Sequence, residues 1–294
     1  MRRPILTTFA IVVVAAIAAC DRGDGFEQAS QSITAANLDQ GIRDLSADSM
    51  GGRAPASWGE ERTVRYLQER FEALGLEPGN GISWVQEVPL VSLTADPDMG
   101  AVIQGRGTAT RLQHALVYVA VTERVAEEID LDRSELVFVG YGIVAPEFGW
   151  NDYEGVDVTG RMVVVLVNDP GYATGDEALF NGRSMTYYGR WTYKYEEAAR
   201  QGADGVLIIH QTGPAGYPWA VVEAGWSGPQ FMLAETGDAP LAKVQGWISV
   251  VPARTVFAQA RLGGAARGAG GATRGVAAGG LGRGVARGRG WALG

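Results

Sequence analysis

The feature that most limits what this chain can fold into is a pair of uninterrupted apolar runs, residues 162–167 (MVVVLV) and 206–209 (VLII). Runs without polar alternation are strands buried on both faces. Between them Trp191, Tyr195, Ala198, Ala199 and Gly202 share one helical face, and Gly202 is placed to end that helix. Strand, helix and strand make a βαβ-like unit. Residues 84–93, 116–121 and 136–139 are also strand-like. The expected class is α+β, with a short helical N-terminal segment followed by a strand-rich body.

The helical segment has its own signals. Leu38, Ile42 and Leu45 recur at helical spacing. Ser57 and Glu60 fit a capping box, in which each side chain satisfies an amide at the start of the helix. Val64, Leu67, Phe71 and Leu74 then form one apolar stripe, expected to face a core. Gly75 permits a left-handed cap, Leu76 can close it, and Pro78 prevents continuation.

The two ends differ in kind from the body. Residues 1–19 open with Arg2 and Arg3, continue almost wholly apolar and end in Ala18-Ala19, which reads as a secretory signal peptide. The apolar stretch falls short of the roughly 20 residues a spanning helix needs. Cys20, the only cysteine, follows directly, and residues 17–20 resemble a bacterial lipobox. The expectation is an exported lipoprotein anchored to a membrane through Cys20, on the periplasmic or cell-surface side, with residues 20–32 as a flexible tether. At the other end, residues 261–294 hold 13 Gly, 8 Ala and 6 Arg and no Asp, Glu or Lys. So much glycine without hydrophobic periodicity predicts a disordered tail. Outside that segment 33 acidic side chains face 19 basic ones. An acidic body argues against nucleic acid as the main partner.

Few residues carry candidate chemistry. Gly140-Tyr141-Gly142 follows a strand, but Pro146 and Gly149 interrupt the helix a dinucleotide site requires, so a glycine-rich strand edge or turn is expected. His114 and His210 are the only histidines, and neither belongs to a zinc-ligand motif; His210 reads as the end of a buried strand. No Gly-x-Ser-x-Gly elbow occurs. No catalytic or metal-binding residue is assigned. The densest aromatic group is Tyr187, Tyr188, Trp191 and Tyr195, joined by Trp219 and Trp226. It marks either an interface or substrate-access surface, or ordinary core packing.

Residues 160–167 (GRMVVVLV) and 194–209 (KYEEAARQGADGVLII) resemble a protease-associated (PA) domain. Residues 45–55 (LSADSMGGRAP), with the capped helix after them, are similar to the N-terminal segment of exported di-zinc aminopeptidases, the family of aminopeptidase Y and the glutamate carboxypeptidase II-like enzymes. Residues 138–146 (FVGYGIVAP) and 181–191 (NGRSMTYYGRW) fit the bacterial members that carry a PA domain. The likeness runs from about Leu38 to Trp247. It implies a segment over 33–95, connecting strands over 96–133, a PA domain over 134–248 and a divergent tail over 249–294. It also implies peptide hydrolysis with two zinc ions in a complete enzyme, with peptides and a catalytic domain as partners. The likeness fades after residues 246–249 without the family's His-x-Asp and acidic-pair motifs. The expectation is therefore a PA-bearing portion, truncated or frameshifted near residues 250–260 and inactive alone. The alternative is a membrane-anchored, non-catalytic PA-type module that binds peptides or a protein.

Overall fold

The computed structural model describes residues 23–105, 108–131, 134–235, 237–260, 285–286 and 291–293. Residues 1–19, expected as a signal peptide, Cys20 and most of the tail beyond residue 260 lie outside them. The chain divides into two compact units, Met1–Glu87 and Val88–Gly294.

The first unit is helical. It contains α1 (Gly23–Ser32), α2 (Ala35–Ser46), a 3-10 segment (Asp48–Arg53) and α3 (Trp58–Ala73). The 20–32 stretch, expected as a flexible tether, is thus helical from Gly23, with Gln31 donating back one turn to Glu27. Ser57 caps α3 by accepting from the Glu60 amide, while the Glu60 carboxylate reaches Ala56 N–H at 2.6 Å rather than that of Ser57. At the other end, Leu76 N–H bonds Phe71 O and Gly75 N–H bonds Glu72 O, with Gly75 at φ +75°. These two bonds make a Schellman cap. Gly59 is required by close approach, since a Cβ there would lie 2.4 Å from Met50 O.

One expectation fails in this unit. Leu67 and Phe71 do not face a core; they are 38% and 43% exposed. Among the described residues of the unit, only Gly59 is buried. Three helices and a 3-10 segment bury no apolar side chain among the described residues, so the unit offers no second apolar surface against which to close the stripe. Phe71 finds one partner, a stacked Trp84 with centroids 6.3 Å apart.

The second unit holds the βαβ core. Its strands are β1 (Leu90–Leu93), β2 (Gly100–Gln104), β3 (Ala109–Gln113), β4 (Tyr118–Val121), β5 (Ile129–Leu131), β6 (Leu136–Phe138), β7 (Val144–Ala145), β8 (Trp150–Asn151) and β9 (Met162–Leu166). Then come α4 (Pro170–Thr174), α5 (Trp191–Arg200), β10 (Gly205–His210), α6 (Thr212–Ala215), α7 (Trp219–Trp226), β11 (Gln230–Leu233), β12 (Val244–Ser249) and α8 (Val250–Gln259). Two short strands, β13 (Val285–Ala286) and β14 (Trp291–Leu293), lie beyond. Of the 84–93 stretch only β1 is a strand; Pro89 has no N–H to give a ladder.

The main sheet has the order β13-β6-β9-β10-β12-β4, with β6, β9, β10 and β12 parallel and β4 antiparallel. A smaller sheet runs β3-β2-β14-β5. Parallel strands buried on both sides explain the continuous apolar runs. Val206 and Ile208 pack with Tyr195, Ala198 and Val222 on the α5–α7 face, whereas Leu207 and Ile209 pack with Ala253, Val256 and Phe257 of α8 on the other. Residues 250–259, grouped with the tail on sequence, therefore belong to the core; Phe257 meets Phe138 edge-on at 4.9 Å. Among the described residues no helix is long and apolar enough to cross a membrane. The fold is α+β.

Candidate functional site: an aromatic surface over a buried charge cluster

Helix α5 divides its residues among three environments. Tyr195 points into the sheet, 3% exposed, and its hydroxyl donates to Gly246 O at 3.1 Å. Trp191, one turn earlier, is 40% exposed and meets Trp226 edge-on at 5.5 Å. Behind them Trp226 touches Trp247, which touches His210, which touches Trp219. A chain of rings thus runs from the surface into the core.

Just before α5, a 3-10 turn (Tyr187–Gly189) presents two more rings. Tyr187 is 54% exposed and its hydroxyl donates to the Glu196 carboxylate. Tyr188 is half-buried, donates to Glu147 at 2.6 Å and lies edge-on to Tyr193. Of the four aromatic residues singled out on sequence, Tyr187 and Trp191 form a surface, Tyr188 lines its inner side, and Tyr195 is a core residue. Trp191 and Tyr195 share one face of α5, so the split follows position along the helix: Trp191 stands at its first residue, whereas Tyr195, one turn on, lies over β12.

Beneath the turn lies a cluster that the sequence reading missed. Lys194 is 0% exposed and its ammonium has no hydrogen-bond partner. It sits 5.9 Å from the centroid of the Tyr141 ring and 6.0 Å from that of Tyr193. Burial pushes its pKa down to about 7, against the pull of Asp152 and Asp169. Each carboxylate holds one loop. Asp169 Oδ2 accepts from Thr186 N–H at 3.0 Å and Thr186 Oγ1–H at 2.8 Å, while its buried Oδ1 has no partner. Asp152 Oδ2 accepts from the amides of Tyr141 (3.1 Å) and Ile143 (3.0 Å), and burial raises its pKa. Gly140 and Gly142, with φ near +65°, form the expected turn rather than a nucleotide loop. A Cβ at Gly140 would come within 2.8 Å of Asp152 Oδ1. One signal pointed here: Asn168-Asp169 directly follows a buried parallel strand, and the carboxyl ends of such strands are where polar sites form.

The histidines are committed to packing. His210 ends β10, and its Nε2 lies 3.0 Å from Tyr217 O. His114 is buried edge-on to Tyr118. Among the described residues no three or more His, Cys, Asp or Glu side chains gather where they could hold a metal.

No protein-family model and no curated protein matches the chain. Among solved structures it is similar to an aminopeptidase from Aneurinibacillus sp. strain AM-1, at 21% identity and a TM-score of 0.37. The match covers 78% of this chain and 42% of that one, so the chain spans under half the length of that structure.

Proposed function

We propose that the chain is the recruiting portion of an exported, lipid-anchored aminopeptidase-type peptidase. It comprises a PA domain over 134–248 that offers an aromatic docking surface to peptides, and a helical segment that seats against a catalytic domain. The observation that carries this reading is the uncovered stripe of α3. A helical unit with no buried apolar side chain among its described residues gains too little from burial to offset the entropy of ordering it. Such a stripe is built to be covered by another folded surface. The sequence likeness over 38–247 favours a peptidase domain as that surface.

The docking surface has the right chemistry for extended peptides. Trp191 and Tyr187 combine large apolar area with polar tips, the composition found at the centre of binding patches. Glu196 and Arg200 flank Tyr187 with both signs of charge. No hydrolytic step is assigned to this chain.

The test uses fluorescein-labelled hexapeptides and the full chain, read by fluorescence anisotropy. Trp191→Ala is expected to weaken binding at least tenfold while the chain stays folded, its urea midpoint lowered only by the loss of the Trp226 and Tyr195 ring contacts. Absence of peptide binding, or binding indifferent to Trp191, overturns the docking role. Stoichiometric tight zinc together with chelator-sensitive cleavage of aminoacyl reporters overturns the non-catalytic reading.

A further inference from the structure

We propose that Lys194, buried with no hydrogen-bond partner for its ammonium, is the positioning residue of the aromatic surface: it supplies the positive charge that balances Asp169, keeps the Thr186–Arg190 turn seated on that carboxylate and so sets how Tyr187 and Trp191 are presented. The importance of this coupling for binding rests on the docking surface proposed above; the coupling itself does not.

The geometry runs in short steps. Asp169 follows β9 directly and binds both the amide and the hydroxyl of Thr186. Thr186 is the residue on which the Tyr187–Gly189 turn starts, and Asn168 N–H closes the other side by donating to Gly189 O at 3.1 Å. Gly189 lies against the same carboxylate, so closely that a Cβ there would be 3.1 Å from Asp169 Oδ2. The turn therefore sits on Asp169. A carboxylate with no exposed surface is costly unless a countercharge is near; the fully buried Lys194 of α5, three residues after Trp191, is that charge, acting across the cluster without a hydrogen bond to Asp169. The same ammonium also serves Asp152, which holds the Tyr141–Ile143 turn. One cation thus compensates two carboxylates, each the anchor of a separate loop.

Such an arrangement responds to protonation. The groups that face Lys194 are Asp152 after β8, Asp169 after β9, Tyr141 after β6 and Tyr193 on its own helix. Burial raises the pKa of both tyrosines, that of Tyr141 to about 12, so neither changes charge near neutrality. The burial-lowered ammonium is the group in the cluster that loses its proton as pH passes about 7. Once it is neutral, Asp169 lacks its countercharge and the turn loosens.

The experiment labels the full chain with 5-fluorotryptophan, assigns Trp191 through Trp191→Phe, and follows its fluorine resonance from pH 5.5 to 9.5. The wild type is expected to show a transition near pH 7. Lys194→Met should remove it and hold the resonance at its alkaline position, whereas Lys194→Arg should hold it at the acidic one. His210 reaches the same ring chain through Trp247 and Trp226, and its burial-lowered pKa places its own titration on the acid side. His210→Gln should leave the Lys194 transition in place. If Lys194→Met does not fold, Asp169→Asn still decides, because removing one carboxylate should move the midpoint to lower pH. A wild-type resonance that is silent across the range, a transition that survives Lys194→Met, or an unmoved midpoint in Asp169→Asn overturns the proposal. Failure of all peptides to bind would remove the docking role and leave the Lys194–Trp191 coupling standing.

Discussion

The hydroxyl of Tyr195 donates to the carbonyl of Gly246 at 3.1 Å, tying the middle of α5 to the middle of β12. Residue 246 has a second constraint, from the neighbouring strand rather than from the helix. A Cβ there would lie 2.4 Å from the backbone oxygen of Val119 on β4. Helix and two strands meet at that point, and α5 cannot turn about its axis without breaking the bond.

Tyr195→Phe should therefore cost about 1 kcal/mol, the usual net value of a buried hydrogen bond. Gly246→Ala should cost more, since the clash is with backbone and cannot be relieved by a rotamer. Urea denaturation of both variants checks the order. A Gly246→Ala protein as stable as Tyr195→Phe would contradict the close approach.

The charge cluster predicts a pH dependence with a definite sign. In the folded chain Lys194 has its pKa pushed down to about 7, whereas an unfolded lysine titrates near 10.4. Between those values the unfolded chain binds a proton that the folded chain does not, so this group makes stability rise with pH across that window. Buried tyrosines act oppositely, but only above pH 10, where their raised pKa values lie. The urea midpoint of the wild type, compared with Lys194→Met between pH 6.5 and 9.5, should show the extra rise in the wild type alone.

For α3 the expected loss is small. A fully buried phenylalanine costs about 3–5 kcal/mol when cut to alanine. Phe71 is 43% exposed with one stacked partner, so Phe71→Ala should cost under about 1.5 kcal/mol in this chain. Added in trans, a folded domain that covers the stripe should make the same substitution more costly. Denaturation with and without that domain measures the difference.

Anchoring is tested at Cys20, which lies before the described residues. Metabolic labelling with a fatty acid should mark the wild type and fail to mark Cys20→Ser. Equal labelling of the two would remove the lipid anchor from the account.

The local signals in the sequence had local outcomes. Continuous β-branched runs became parallel strands, Ser57 and Gly75 became the caps of α3, and Gly140 and Gly142 became a turn. Each depends on a few neighbouring residues and their backbone preferences, which any sequence displays. Burial was decided elsewhere. Leu67 and Phe71 carry a good amphipathic period, yet a period says only that a stripe exists and not that anything covers it. Residues 250–259 entered the core because the face of β9 and β10 opposite α5 needed a cover, which Val256 and Phe257 provide. Lys194 shows the limit most clearly. Its neighbours in the chain, Tyr193 and Glu197 included, say nothing of Asp152 and Asp169, 42 and 25 positions away. The crossover from β9 through α5 to β10 brings Lys194 and Asp169 into one cluster, because the covering helix must begin above the carboxyl end of the strand, and Asp152 joins it from the separate β7–β8 hairpin.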